Sequence, residues 1–294
     1  MRPLLPGKRL ENRLEINYSK PVLPSFKNLI WLCFLGCLLF PAVSNGQDRV
    51  MRSADFWPEL QVEYVLKNTS FFYFRNQYRR NFDNEFNYLR EGNVTRLLER
   101  VQFRLGYEHM FNNVWCSGFT SAYAIERSRN LLFNELYVRH IGVFGKTRFS
   151  QRASYEHIFR WPTNTTGRFR LRAEVDRSFK IHKKAIRPRL SYEMFYNLSY
   201  QPQEQSIKAE RLIDRGRLRF EIQYAFNQKF SVTPFVMEQV DFLEVEPGYD
   251  ATGTLVRSGG KQNSIAPIMG IDLRYVIFQG GKPFPRTIQA DTKN

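Results

Sequence analysis

The chain has 294 residues, with 44 lysines and arginines against 28 acidic residues, a formal net charge of +16 and a mean hydropathy of −0.46. This hydropathy excludes a bundle of membrane helices, which needs several apolar runs of about 20 residues. The aromatic content of 15% excludes a disordered basic protein, and three cysteines are too few for a disulfide scaffold.

The N-terminal region has the layout of a secretory signal peptide. An uncharged apolar run over 29–40 follows basic residues that include Lys20 and Lys27, and small polar residues come after it. This order is typical of export signals, and the run is too short to span a bilayer well. We therefore expect a cleaved signal peptide over residues 1–46, with a single signal anchor as the alternative.

Beyond residue 60 the sequence alternates between apolar and polar residues with a period of two. A strand produces this period because successive side chains point to opposite faces, whereas a helix repeats its apolar positions every three or four residues. In one example, Leu218, Phe220 and Ile222 are separated by Arg219 and Glu221. The pattern predicts clear strands at 60–67, 97–108, 115–126, 169–175, 217–226 and 265–277. Weaker patterns predict further strands near 70–80, 131–141, 147–159, 187–198 and 230–242.

Short turns and longer loops alternate between the predicted strands. The short polar turns are at 67–69, 111–113, 145–146, 182–184 and 227–229. The longer loops are at 81–93, 127–130, 160–167, 199–208 and 243–262. This order predicts an antiparallel meander with tight turns at one end, and we expect the largest loop, 243–262, to be mobile and external. The strands are long enough for tilted strands to cross a bilayer, which takes about 9–11 residues.

Two all-β architectures fit this alternation, a soluble sandwich with its apolar faces inward and a membrane barrel with its apolar faces outward. The barrel is favoured by aromatic residues near strand ends, such as Trp57, Trp115 and Trp161, because such rings suit the membrane interface. Charges of both signs on the polar faces suit a lumen, and every strand follows the export signal.

We therefore predict an all-β fold, an antiparallel up-and-down transmembrane β-barrel of 10–12 strands over residues 47–278, followed by a tail over 279–294. Eleven strands are recognised in the sequence pattern. Twelve are preferred, because bacterial barrels usually have an even number of strands. The additional strand is expected within 48–58 or within 243–262.

A family resemblance is carried by the segments Asp55-Phe56-Trp57, Arg217-Leu218-Arg219-Phe220 and Phe230-Ser231-Val232-Thr233-Pro234-Phe235, with Glu238 and Asp241-Phe242 after the last. Over roughly 53–278 the chain resembles an uncharacterised Gram-negative family of outer-membrane β-barrels, known only as a domain of unknown function. The resemblance implies an outer-membrane location and a barrel architecture, and it brings no catalytic residues. The long leader and the tail after Phe278 depart from it.

The polar faces of the predicted strands carry arginines and acids that a barrel directs into its lumen. Arginine forks bind carboxylates and keep their charge, so a narrow lumen filled by ion pairs is one interpretation. An anion-favouring channel with unpaired arginines is the other, because arginines outnumber the acids. The lumen-facing candidates are Arg100, Arg104, Glu108, Arg148, Arg152, Arg168, Arg170, Arg172, Glu174, Arg217, Arg219 and Glu221. The same faces carry Glu63, Arg75, Arg79, Glu135, Glu156, Asp176, Arg187, Arg189, Glu193 and Asp272.

An enzyme is not predicted. A barrel hydrolase needs a histidine beside a serine and an orienting carboxylate or amide. Ser154, Glu156 and His157 cluster in sequence, but alternation places His157 on the opposite face from the other two. The sequence contains no catalytic, phosphate-loop or metal-ligand motif, so no cofactor or metal is expected. Cys116 is expected to serve packing.

The sequence thus predicts an integral outer-membrane β-barrel in contact with outer-membrane lipid. A small anion or other solute is the expected occupant of its lumen, and nucleic acid is excluded because the basic residues alternate with acids. The predicted function is a narrow anion-favouring channel or a structural barrel with an ion-paired lumen. Two alternatives stay open: a secreted soluble β-barrel or sandwich that binds an apolar ligand, and an interfacial outer-membrane lipid hydrolase that uses His140 or His157.

Overall fold

Strands dominate the computed structural model, which describes residues 48–67, 70–87, 89, 94–126, 129–161, 165–181, 184–199, 208–257 and 259–281. The signal peptide expected over 1–46 and the tail beyond residue 281 lie outside the described residues. Short 3-10 turns occupy Asn84–Phe86 and Val94–Leu97. Within the described ranges, no helix combines the length and the apolar character of a membrane span.

Most of the fold is built from long strands. In chain order, the strands are β1 (Asp48–Met51), β2 (Asp55–Val65), β3 (Phe71–Asn81), β4 (Arg100–Met110), β5 (Trp115–Glu126), β6 (Asn130–Phe144), β7 (Thr147–Trp161), β8 (Thr166–Arg177), β9 (Phe179–Ile181), β10 (Lys184–Ser199), β11 (Lys208–Ala225), β12 (Phe230–Val245), β13 (Gly248–Tyr249), β14 (Leu255–Arg257) and β15 (Gly260–Phe278).

Eleven long strands form a closed ring in the order β2-β3-β4-β5-β6-β7-β8-β10-β11-β12-β15. Neighbours along this order are antiparallel, and β15 closes the ring by pairing with β2 in parallel. The parallel closure follows from the number of strands. When an odd number of strands alternate in direction around a ring, the first and the last strand run in the same direction. The predicted antiparallel barrel of 10–12 strands is confirmed.

The preferred twelfth strand corresponds to β1, which lies within the segment 48–58 where an additional strand was expected. It pairs with residues 262–265 of β15, directly ahead of the stretch of β15 that pairs with β2. Both β1 and β2 pair with the same edge of β15, so β1 continues the line of β2 along that edge and adds no separate strand to the ring. The closure therefore stays parallel.

The two ends of the barrel differ in the length of their connections, as the sequence predicted. We call one the short-turn end, where neighbouring strands are joined by segments such as 111–114, 145–146 and 226–229. At the other, the long-loop end, the connections include 82–99 and 246–259. The predicted loop 243–262 is partly regular, because β12 extends to Val245 and β13 pairs with β14 inside it.

The two faces of the ring have the opposite polarity to those of a soluble protein. Outward-facing Leu105 and Leu136 are 62% and 61% exposed, whereas Glu135 and Glu156 are 1% and 2% exposed. Apolar surface exposed around a whole ring is stable only in contact with lipid, and a closed ring leaves no unpaired edge in the hydrocarbon. The architecture is that of a transmembrane barrel and not of two sheets packed face to face.

One aromatic residue differs from the sequence prediction. Trp115 and Trp161 are 45% and 51% exposed on the outside near strand ends, as expected for an interfacial belt. Trp57 is instead 4% exposed and packs inside the ring with Phe235, Met237 and Ile268. Its position has the inward parity of Glu59 and Glu63, so the alternation of β2 directs it into the lumen.

Candidate functional site

The interior of the barrel contains a cavity of about 570 Å³. Among the described residues, thirteen arginines and seven carboxylates line it. Three further buried carboxylates, Glu135, Glu156 and Asp176, pair with wall arginines from outside the lining, and the arginines still outnumber the carboxylates. Of the sequence-predicted candidates, those on the wall are Arg104, Glu108, Arg148, Arg152, Arg170, Arg172, Glu174, Arg217, Arg219 and Glu221. Arg100 and Arg168 lie beyond the cavity, where Arg100 contacts Glu126 at 3.2 Å and Arg168 Nε donates to Glu156 at 3.0 Å.

The centre of the ion-pair network is Arg170 on β8. Its guanidinium lies 2.6 Å from Glu193, 3.2 Å from Glu156 and 3.3 Å from Glu135, three carboxylates from three other strands. Arg152 contacts Glu135 from the other side at 2.6 Å. A planar guanidinium with five donors can serve several carboxylates at once, which lysine cannot. The network therefore ties β6, β7, β8 and β10 together through the lumen.

A second group of ion pairs joins strands from β10 to β15. Arg219 bridges Glu221 at 2.6 Å and Asp272 at 2.5 Å. Arg189 contacts Glu221 at 2.7 Å, which extends the chain of charges to β10. Because each carboxylate in this group has an arginine within hydrogen-bond distance, their negative charge is compensated inside the barrel.

Near the short-turn end, Glu108 has partners that were absent from the predicted set. Arg139 donates to Glu108, and the Tyr137 hydroxyl donates to its other oxygen at 2.7 Å. The ring of Tyr137 covers Gly118, where any Cβ would stand 2.4 Å from the phenol. Arg139 also donates to the sulfur of Cys116 at 3.2 Å, so this buried thiol is part of the polar wall.

Arg139 and Tyr137 were missed because β6 shows a weak alternation in sequence. Its inward positions include Leu131 and Phe133, which pack in an apolar cluster, so the inner face does not read as polar. Glu135 was predicted to face the lumen, and this could have located both residues. Side chains two and four positions further along a strand point to the same face, and these are Tyr137 and Arg139.

Aromatic rings and guanidiniums stack on each other inside the ring, on the side of the long-loop end. The guanidinium of Arg79 lies 3.8 Å from the ring centroid of Trp57, and that of Arg217 lies 5.7 Å from it. Beyond them, Phe195 is 1% exposed and has Arg168 and Arg170 at 4.7 and 5.1 Å from its ring. Stacking on the Trp57 ring stabilises Arg79, which has no carboxylate at ion-pair distance among the described residues.

Two arginines on the cavity wall lack a carboxylate partner. Within the part of the chain that the structure describes, no acidic side chain is at ion-pair distance from Arg79 or Arg104. Arg79 donates to the Gln77 side chain at 3.1 Å, and the Nε of Arg104 is buried with no hydrogen-bond partner. These two side chains leave positive charge uncompensated in the lumen.

Around His140 and His157, the two histidines of the hydrolase alternative, the described residues do not assemble a serine, histidine and acid geometry. Ser154 and Glu156 are buried inside the ring, whereas His157 packs on the outer face against Phe159, with ring centroids 4.4 Å apart. Ser121 also faces outward, but its hydroxyl donates to Asn134 at 2.9 Å, and β6 separates it from His157. His140 packs against Trp115. The described residues contain no cluster of acidic, histidine and cysteine side chains that fits a metal ion.

Comparison with known proteins identifies a family. The family model described as "Protein of unknown function (DUF2490)" matches residues 54–246. The chain belongs to this family. The resemblance expected from the sequence is thereby confirmed.

The chain is also similar to solved porins, at low sequence identity. The KdgM porin is 13% identical with a TM-score of 0.36, over 64% of this chain and 90% of the porin. A KdgM porin in complex with disordered oligogalacturonate is 14% identical with a TM-score of 0.35 and the same coverages. The NanC porin is 9% identical with a TM-score of 0.38, over 75% of this chain and 96% of the porin. No curated protein matches the chain.

Proposed function

We propose that the protein is an integral outer-membrane channel that favours small anions. The observation that carries this proposal is the arginine excess at the cavity among the described residues: thirteen arginines line it, against seven lining carboxylates and three more, Glu135, Glu156 and Asp176, that pair with the wall arginines. A water-filled lumen with surplus positive charge raises the local concentration of anions and lowers that of cations. Arg79 and Arg104, which have no carboxylate partner among the described residues, supply part of this surplus.

Planar-bilayer recording in a KCl gradient tests the proposal, because the sign of the reversal potential reports which ion permeates. We expect a preference for chloride over potassium, reduced about twofold or more in the double variant Arg79→Gln with Arg104→Gln. Arg177→Gln is the matched control. Arg177 is the exposed last residue of β8, so its loss is expected to leave the preference for chloride unchanged. A cation preference in the unmodified protein overturns the proposal.

A structural barrel with an ion-paired lumen is the second candidate, and the side chains that fill part of the lumen favour it. Trp57 and Phe195 are buried inside the ring, with arginines stacked on them, on the side of the long-loop end. Bilayers that contain correctly folded protein and show no current in any salt gradient support this candidate and exclude the channel.

A further inference from the structure

The inner faces of β3 and β4 carry a patch whose chemistry differs from that of the remaining wall. Arg75, Gln77 and Arg79 from β3 and Gln102 and Arg104 from β4 all line the cavity, and we call them the β3–β4 patch. In the register of the two strands, Arg75 lies opposite Arg104 and Gln77 lies opposite Gln102. Like charges therefore stand directly opposite each other across the strand pair, which is unfavourable unless an anion compensates them.

The patch is short of carboxylates compared with every other part of the wall. Among the described residues, β3 is the barrel strand that presents inward arginines without an inward carboxylate of its own. Arg75 obtains a partner from β2, Glu59 at 3.0 Å. Arg104 has none: the acidic residue on its own strand, Glu108, pairs with Arg139. Its Nε is buried without a hydrogen-bond partner, so one edge of the guanidinium has unused donor capacity.

The cavity adjoins the unpaired guanidinium, because Arg104 is among the residues that line it. The residues of β5 opposite Arg104 and Gln102 are Ala122 and Ala124, whose side chains are too short to reach either group with a polar atom. These alanines are buried in an apolar cluster, so the β5 side offers Arg104 no competing polar group, and an external group can reach the guanidinium from the cavity. The cavity of about 570 Å³ is large enough for a small-molecule ligand.

We propose that the β3–β4 patch is a binding site for the oxyanion group, phosphate or carboxylate, of a solute in the lumen. A guanidinium binds two oxygens of such a group through parallel N–H donors, a geometry that chloride cannot use. The bound group lies between Arg75 and Arg104 and relieves the repulsion between them. This inference rests on the proposed entry of anions into the lumen. It adds one defined binding site to a cavity wall whose positive charge is otherwise spread over many arginines.

Isothermal titration of the folded, detergent-solubilised protein with inorganic phosphate in a constant chloride background tests the site. We expect saturable binding that Arg104→Gln weakens about tenfold, the loss of one charge-assisted contact. Arg104→Lys gives an intermediate affinity, because it keeps the charge and loses the planar fork. The control is Arg148→Gln, which removes the same charge from the same cavity and leaves Asp176 with Arg187 at 3.6 Å and Arg189 at 3.9 Å.

The two proposals fail differently. Equal weakening of phosphate binding by Arg104→Gln and Arg148→Gln overturns the site and leaves an anion-favouring channel with diffuse charge. Absence of phosphate binding to the unmodified protein also overturns the site. A current without anion preference, together with phosphate binding that depends on Arg104, overturns the channel proposal and supports the site. If Arg104→Gln fails to fold, Arg75→Gln replaces it, because Arg75 is the other arginine of the site, with the same expected weakening relative to Arg148→Gln.

Discussion

At the scale of single residues, buried carboxylates determine where the lumen arginines point. Glu135 is 1% exposed and contacts Arg152 at 2.6 Å and Arg170 at 3.3 Å. Parity along β6 places Glu135 inside the ring, but parity does not state which arginines it meets. Those partners come from β7 and β8, and their choice depends on how the strands are paired and tilted.

Replacing Glu135 with glutamine is expected to destabilise the barrel by about 3 kcal/mol, because removing one partner of a buried ion pair leaves the other charge uncompensated. The free energy of unfolding in urea, followed by tryptophan fluorescence in detergent micelles, measures the effect. Glu244→Gln at the exposed end of β12 is the matched control and changes it by about 0.5 kcal/mol or less. If Glu135→Gln lowers the free energy of unfolding as little as the control does, water in the lumen screens the ion pairs of Glu135.

At the scale of elements, the closure between β2 and β15 differs most from an even barrel. Eleven consecutive residue pairs, from Ile268 opposite Asp55 to Phe278 opposite Val65, hold the two strands in parallel. The hydrogen bond from the Gln279 amide to the Val65 carbonyl, 2.8 Å, continues the pairing by one residue. Both strands alternate normally, so their local sequence carries no sign of the parallel direction.

A cysteine cross-link tests this register. Leu60 and Leu273 are paired and both face outward, so Leu60→Cys with Leu273→Cys, in a Cys116→Ser chain expressed from Gln47, is expected to form a disulfide on mild oxidation. The product is a closed loop that migrates faster than the reduced chain on a denaturing gel. Leu60→Cys with Ile277→Cys, four residues out of register, is the control. Cross-linking of the control in preference to the first pair would exclude the parallel register.

At the scale of the whole molecule, the ring holds its charges inside and its apolar side chains outside. This inversion predicts that the protein is recovered in the outer membrane and needs detergent for extraction. A closed ring has no free edge, so it resists cold detergent and unfolds only on heating.

The mobility of the outer-membrane fraction on an SDS gel, cold against boiled, tests this prediction. We expect the cold sample to migrate as a compact species and the boiled sample at the position of the unfolded chain. Recovery of the protein in a soluble fraction, with one mobility in both lanes, would contradict the membrane assignment and favour a soluble protein that holds an apolar ligand.

The sequence by itself determined the long strands, the end with short turns and the inward parity of the predicted lumen residues. These properties are local, because a period of two and a turn are set within a few residues. The predicted lumen residues therefore lie on inward faces, and misses such as Arg139 occur where apolar residues hide the alternation of β6.

Only the tertiary structure decided the parallel closure, the stacking of Arg79 and Arg217 on Trp57, and the lack of a carboxylate at ion-pair distance from Arg104 among the described residues. Each depends on which strands meet and on their stagger around the ring, since contacts across the lumen join residues that are distant in the chain. Arginines alternate with acids in the sequence, but the ring distributes the acids unevenly and leaves β3 and β4 with unpaired positive charge. That uneven distribution is the physical basis of the proposed preference for anions.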